Sequence, residues 1–441
     1  MFVHRNQTAS AESSCIIGFI IPFLLGGYWP IMGLGFAWVP AACRVAIMLC
    51  TGVLAILWWS APVSKNERQW FRNLGTYLGL LVLSAVFATG VVRAMRNSLR
   101  ICFLFAFCLI LARAFRHPAT RKAFGIGTLA VSLLLSVYVI VCYVAFVGLA
   151  LPSYESTRIF KETLLERTGV SLNPLGFSSA FFAILAGCIL RPKRLLMLTL
   201  VSIVAVSTVF TGSRAPLALM LISLIVIVLN EAVRRDAVVG WASLVCLSVV
   251  LSCAVYYFST GVDTRKLAQI TEGRTELWKV AVDKFLTRPF TGYGADSWAD
   301  DLISRTPNLY PMSGELVNQH AGAYHNAYLT LLAEDGVVVC AFAIYLIWCG
   351  FRSVNQAFRR GQGQKWLRWM YTFAFLFLIC RGLIEVPGLF GYGEDPAEFA
   401  AYSLVALIIS LEATLASQRA STSVAPAVFH SRGILLLEFG S

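Results

Sequence analysis

The run AFGIGTLAVSLLLSVYVIVCYVAFVGL, Ala123–Leu149, holds no charged residue. A helix needs about 20 mostly apolar residues to cross a bilayer, and this run exceeds that. Arg121 and Lys122 stand immediately before it, and a polar stretch from Pro152 to Asn173 follows it. Basic residues on one flank of an apolar run mark the cytoplasmic side. This one segment therefore predicts a helix that spans a membrane, and its direction.

The rest of the chain repeats the pattern. Of 441 residues, 58% are hydrophobic and only 13% are charged, with a mean hydropathy of +0.72. Soluble domains carry about 25% charged residues, so lipid is the expected solvent for most of this surface. Apolar runs lie at Cys15–Trp38, Ala42–Trp59, Leu74–Val92, Ser98–Ala112, Ala123–Leu149, Pro174–Leu190, Leu195–Phe210, Ala215–Asn230, Val238–Phe258, Ala327–Trp348, Trp369–Ile384 and Ala397–Leu415. The fold expected is all-α and polytopic, with about twelve transmembrane helices. Spans one to nine occupy 1–258, a large and partly helical outer loop occupies 259–325, spans ten to twelve occupy 326–416, and a cytoplasmic tail occupies 417–441.

The formal net charge of +13 belongs to loops rather than to a nucleic-acid surface. Lys65, Arg68 and Arg72; Arg113, Arg116, Arg121 and Lys122; Arg191, Lys193 and Arg194; Arg234 and Arg235; and Arg352, Arg359, Arg360, Lys365 and Arg368 fall in every second loop. The basic side is the cytoplasm, so both termini are expected there. Arg93, Arg96 and Arg100 fall outside on this count. They reflect either a misplaced third span, the preferred reading, or an anionic partner. The 12 cysteines lie in or beside apolar runs, where they act as small hydrophobes rather than as a disulfide framework.

Three places carry chemistry-bearing residues. Arg214, in Thr211-Gly212-Ser213-Arg214-Ala215-Pro216, is a lone cation at an outer turn. It reads as a side chain reaching headgroups or as a clamp for an anion such as phosphate. In the outer loop, Arg274–Leu286 has helical period, with Trp278, Ala281 and Phe285 on one stripe, ended by Pro289, Gly292 and Gly294. That predicts an interfacial helix and a tight turn, with Arg274 beside Glu276 as an ion pair or an anion contact. Third, Tyr324-His325-Asn326 opens span ten, with Glu334-Asp335-Gly336 two turns deeper. His325 is one of 5 histidines and reads as a general base or as a helix-end residue bonded to backbone. Intramembrane carboxylates such as Glu334 are costly and usually face a cavity. His320 and His325 miss the spacing of a zinc pair, and no P-loop or dinucleotide fingerprint occurs.

At these residues the chain resembles a family. His325-Asn326, nine residues, then Gly336 resembles the motif of bacterial O-antigen ligases, with Val339 where their second glycine stands. Gly-Arg-Thr-Glu-Leu-Trp at 273–278 and Arg-Pro-Phe-Thr-Gly-Tyr-Gly at 288–294 look more like the O-antigen and exopolysaccharide polymerases of the same superfamily. Ser213-Arg214 matches the arginine those proteins carry before a span. The likeness covers about Thr211 to Ile347. It implies an inverting glycosyltransferase of the bacterial inner membrane that needs neither metal nor cofactor. Its donor would be a glycan on undecaprenyl pyrophosphate, bound at the periplasmic face. Its acceptor would be another lipid-linked glycan for a polymerase, the favoured reading, or the lipid A core for a ligase. On this likeness His325, Arg274 and Arg214 are catalytic, Asn326 and Glu334 orient substrate, and Trp278 and Tyr324 stack on sugar. Membrane lipid is a further partner implied, and nucleic acid is not. A transporter or flippase for lipid-linked sugars is the reading from another class, and no internal repeat of halves supports it.

Overall fold

A computed structural model of the protein describes residues 2–32, 34, 38–58, 63–149, 151–168, 170, 172–190, 203–211, 278–295, 297, 326–359, 365–384 and 399–411. Among them the regular structure is entirely helical. In chain order the helices are α1 Phe2–Leu25, α2 Trp29–Met32, α3 Val39–Trp58, α4 Lys65–Val86, α5 Val91–Ala114, α6 Pro118–Val147, α7 Tyr154–Thr168 and α8 Leu172–Leu190. After these come α9 at 203–210, α10 at 278–287, α11 Ala327–Arg359, α12 Lys365–Ile384 and α13 Phe399–Leu411.

Four of these are long and apolar enough to cross a membrane: Val39–Trp58, Val91–Ala114, Pro118–Val147 and Ala327–Phe358. They show lipid-type surface. On α3, Val45, Met48, Leu49, Val53 and Ile56 all face outward, an apolar exposure that soluble proteins avoid. The expected runs at Ala215–Asn230 and Val238–Phe258, and the tail after Ser417, lie outside the described residues.

Local signals explain the helix ends. Proline at the first position of α6 has no amide that the helix would miss. Gly148, at φ 92°, stops it. At the start of α4, Ser64 and Glu67 cap each other: the Ser64 hydroxyl accepts from the Glu67 amide at 3.1 Å, and the Glu67 carboxylate accepts from the Ser64 amide at 3.1 Å. The same carboxylate pairs with Arg116 in the turn between α5 and α6.

Two expected boundaries move. The apolar run Cys15–Trp38 is not one helix; α1 ends at Leu25 and the chain turns through Gly26–Tyr28 before α2. Hydropathy does not register a Gly-Gly break. The third expected span, Leu74–Val92, is instead α4, which starts at Lys65 and ends at Val86. Arg93, Arg96 and Arg100 consequently ride on the first turns of α5 rather than in a loop.

Packing between helices follows membrane rules, in which small residues and hydroxyls substitute for a hydrophobic drive. At Gly127 of α6 an added Cβ would lie 2.6 Å from the Phe19 carbonyl oxygen of α1. Ser132 of α6 donates to the Ser179 carbonyl of α8 at 2.8 Å, and Ser207 of α9 to Ser136 at 3.1 Å.

The bundle's two ends differ. At one, basic residues and polar links gather: Glu67 with Arg116, Trp58 to Ser14 at 3.0 Å, Trp70 to Ser353 at 3.4 Å and Arg368 to Asn355 at 2.6 Å. At the other, the end of α4, the start of α5 and the Gly336 region of α11 meet the segment 289–295.

Candidate functional site

α11 is continuous in outline but broken at Gly336, whose φ of 82° and ψ of 176° are not helical. In an unbroken helix the carbonyls of Ala333 and Glu334 would accept from the amides of residues 337 and 338. Here the Tyr293 amide donates to the Ala333 carbonyl at 3.1 Å, and the Gly294 amide to the Glu334 carbonyl at 2.7 Å. In return the Val337 amide donates to the Pro289 carbonyl at 2.7 Å. The segment Pro289–Gly294 thus plugs the break, and its backbone supplies the bonds that the helix lacks. Non-helical backbone at membrane depth persists only where protein satisfies it in this way.

The glycines at the contact are sterically required. A Cβ on Gly292, where φ is +64°, would sit 2.2 Å from the Glu334 carbonyl oxygen, and one on Gly336 would sit 2.3 Å from that of Phe290. The sequence elements Pro-Phe-Thr-Gly-Tyr-Gly and Glu-Asp-Gly are therefore two halves of one joint.

The joint is tied on three further sides. Ser84 of α4 donates to the Thr291 carbonyl at 2.8 Å and lies 3.4 Å from an Asp335 carboxylate oxygen. Both the amide and the hydroxyl of Thr89 donate to the Tyr293 carbonyl, at 3.0 and 2.9 Å. Lys284 of α10 is buried and donates from Nζ to the Ser297 carbonyl at 2.9 Å. Lys284 and Arg288 both approach the Tyr293 ring, at 5.2 and 4.8 Å from its centre, a cation–π arrangement. The Tyr293 hydroxyl meets that of Thr287 at 2.8 Å.

These contacts place some of the residues singled out by sequence. Of the helix expected over Arg274–Leu286, residues 278–286 are described and helical within α10, with Ala281 buried against Ala333 of α11 and Trp278 half-buried. Val282, Leu286 and Phe290 face outward, an apolar stripe suited to a bilayer interface. Glu334 and Asp335 are 1% and 3% exposed, enclosed at the break. Asn326 caps α11: its Oδ1 accepts from the amides of Tyr328 and Leu329, both at 3.0 Å. His325 is the residue just before that cap. His325, Tyr324, Arg274 and Arg214 lie outside the described residues; of the others, Glu334 lies at the joint, Asn326 caps α11 two turns earlier, and Trp278 lies on α10 one turn before Ala281. Thr211, which opens the Arg214 segment, is buried at the end of α9, where Phe210 packs on Tyr143 of α6 at 4.6 Å.

Arg381 was not among the residues singled out. It is 7% exposed near the end of α12, and its guanidinium carbon lies 3.3 Å from the centre of the Phe177 ring of α8. A lone cation inside an apolar run is the signal that would have found it.

Among known proteins, residues 198–345 match the O-antigen ligase family. No curated protein matches the chain. The matched stretch runs from α9 through α10 and the plug into the first half of α11. With the apolar helices it supports a membrane protein with a glycosyltransferase-like role.

Proposed function

We propose that this chain, of the O-antigen ligase superfamily by its residues 198–345, is an inverting, metal-independent glycosyltransferase. It transfers glycan from undecaprenyl pyrophosphate to an acceptor hydroxyl at the periplasmic face of the bacterial inner membrane. The observation that carries the reading is the joint. The segment following Arg274 and the helix following His325 are locked together by reciprocal backbone bonds at Gly292 and Gly336. A rigid joint between loop and helix is what a preorganised site requires.

The chemistry needs few groups. The acceptor oxygen attacks the anomeric carbon from the face opposite the pyrophosphate. The anomeric carbon–oxygen bond breaks with its electron pair passing to the pyrophosphate, and the acceptor proton passes to His325. Glycosidases must protonate a poor leaving group and therefore use two carboxyls. Pyrophosphate leaves without protonation, so stabilising its charge is the main task. Arg214 and Arg274 take that role, since guanidinium forks onto phosphate oxygens and stays charged. Asn326 fixes the start of α11, and with it the backbone that bears His325. Glu334 orients partners, and Trp278 and Tyr324 stack on sugar.

The closer likeness of 273–278 and 288–294 to polymerases favours extension of a lipid-linked repeat. His325-Asn326 with Gly336 resembles the ligase motif, but Val339 in place of its second glycine counts against the ligase, whose acceptor is the lipid A core. Purified protein, a lipid-linked repeat and a chelator test the reading together. Longer lipid-linked chains of inverted linkage support a polymerase, and product formed only on added lipid A core supports a ligase. No product from either acceptor rejects the transferase.

A further inference from the structure

We infer that the cleft between the start of α4 and the end of α5 binds an anionic phospholipid of the surrounding leaflet. A cavity of about 220 Å³ lies there, lined by Val63, Glu67, Arg68, Phe71, Leu109 and Arg113. It is remote from the joint: α4 and α5 meet the plug through Ser84 and Ala94, at their opposite ends. Arg68 is exposed and Arg113 half-buried, beside the exposed side chains of Val63 and Phe71. Glu67 is the one carboxylate among the lining residues, and it is already neutralised. Its Oε2 accepts from the Ser64 amide at 3.1 Å and pairs with Arg116. Among the described residues no hydrogen bond or ion pair engages the side chain of Arg68 or Arg113. The cavity therefore joins two uncompensated guanidiniums to apolar walls, and none of its residues serves the proposed reaction.

That combination matches a lipid better than water or a soluble anion. Water in a cavity needs about two to four polar partners, and the valine, phenylalanine and leucine side chains offer none. A guanidinium forks onto phosphate oxygens and stays charged. The apolar walls take the glycerol backbone and first methylenes of the acyl chains, a gain that free phosphate lacks. Basic pockets between membrane helices hold anionic headgroups in this way. The basic residues gather at this end, which the orientation rule assigns to the cytoplasmic leaflet. A zwitterionic lipid brings the same phosphate but sets its own ammonium near the arginines, so the site selects for net negative charge.

The test melts the full-length protein in detergent with increasing dioctanoyl phosphatidylglycerol. A ligand that binds the folded state raises the melting temperature with concentration. Wild type is expected to gain several degrees, to gain little from dioctanoyl phosphatidylcholine, and to show no shift or competition with glycerol 3-phosphate. Arg68→Gln and Arg113→Gln each weaken the apparent affinity roughly fivefold and together roughly thirtyfold, the worth of one and two basic residues against an anionic lipid. Arg72, one turn after Arg68, is exposed but does not line the cavity, so Arg72→Gln leaves the affinity unchanged. Val63→Phe keeps every charge, adds bulk at the cavity and also weakens binding. It decides the matter if an arginine variant fails to melt cooperatively. An equal response to the two lipids, or an equal loss in Arg72→Gln, overturns the inference, because surface charge alone then explains the binding. Competition by glycerol 3-phosphate replaces the lipid with a soluble phosphate and overturns it too. So does unchanged affinity in the folded double arginine variant or in folded Val63→Phe.

Discussion

α6 and α11 are both long, apolar helices, and they solve the backbone problem in opposite ways. α6 runs from Pro118 to Val147 with helical geometry throughout and uses its polar side chains, such as Ser132 and Ser136, to bond outward to neighbouring helices. α11 breaks at Gly336 and gives two carbonyls and one amide to the segment 289–294. A membrane helix has no solvent to satisfy a broken turn, so a break must be matched by a partner shaped for it. The contrast separates the two helices: α6 packs against α1, α8 and α9, while α11 holds the segment 289–294 in a fixed place.

That contrast can be broken by substitution. The largest structural effect is expected from Gly292→Ala or Gly336→Ala. Each forces a side chain at positive φ into a backbone oxygen at 2.2 or 2.3 Å, at a cost on the order of 3 kcal/mol. Thermal melts should fall by several degrees and glycan transfer should drop at least tenfold. A variant that keeps both would show that the joint is not needed. A smaller loss is expected from Asn326→Ala, which removes the cap of α11 and costs about 1 kcal/mol. Transfer should fall more than stability, because the residue freed by the lost cap neighbours His325. The smallest effect is expected from Ser132→Ala in α6. It deletes one interhelical hydrogen bond worth about 0.6 kcal/mol and should lower the melting point slightly with no change in the kinetics of transfer. Equal kinetic damage from Ser132→Ala and Asn326→Ala would erase the distinction between the two helices.

Much of the scaffold is legible in the sequence, because hydropathy reports the bilayer directly. The run at Ala42–Trp59 is α3, and Ala327 is the first residue of both the expected tenth span and α11. The ends are less legible. α4 begins at Lys65 rather than Leu74, and α11 continues to Arg359 past Trp348, since a helix does not stop where apolarity does. The turn at Gly26 and Gly27 is hidden inside a hydrophobic run. For the site, Gly292 and Gly294 read locally as turn residues, and Gly336 as the glycine of a motif inside an unbroken span. Their actual role depends on contact between residues more than forty positions apart, which periodicity does not encode. Arg93, Arg96 and Arg100 show the same limit. Counted as loop charges they disagree with the orientation rule, but they lie on α5 beside the end where Ala94 packs against Ala295 of the plug. Arg381 was missed because one charge barely changes the hydropathy of Trp369–Ile384.

The proposed reaction places glycan transfer at the mouth of α11 with His325 as its base. The most direct measurement is single-turnover transfer from a defined undecaprenyl-diphosphate-linked donor by the purified protein, comparing wild type with His325→Ala at matched melting temperature. Product is expected from wild type, with a rate lower by about 10²–10⁴ in the variant, the range for loss of a general base. Equal rates from the two proteins would contradict it.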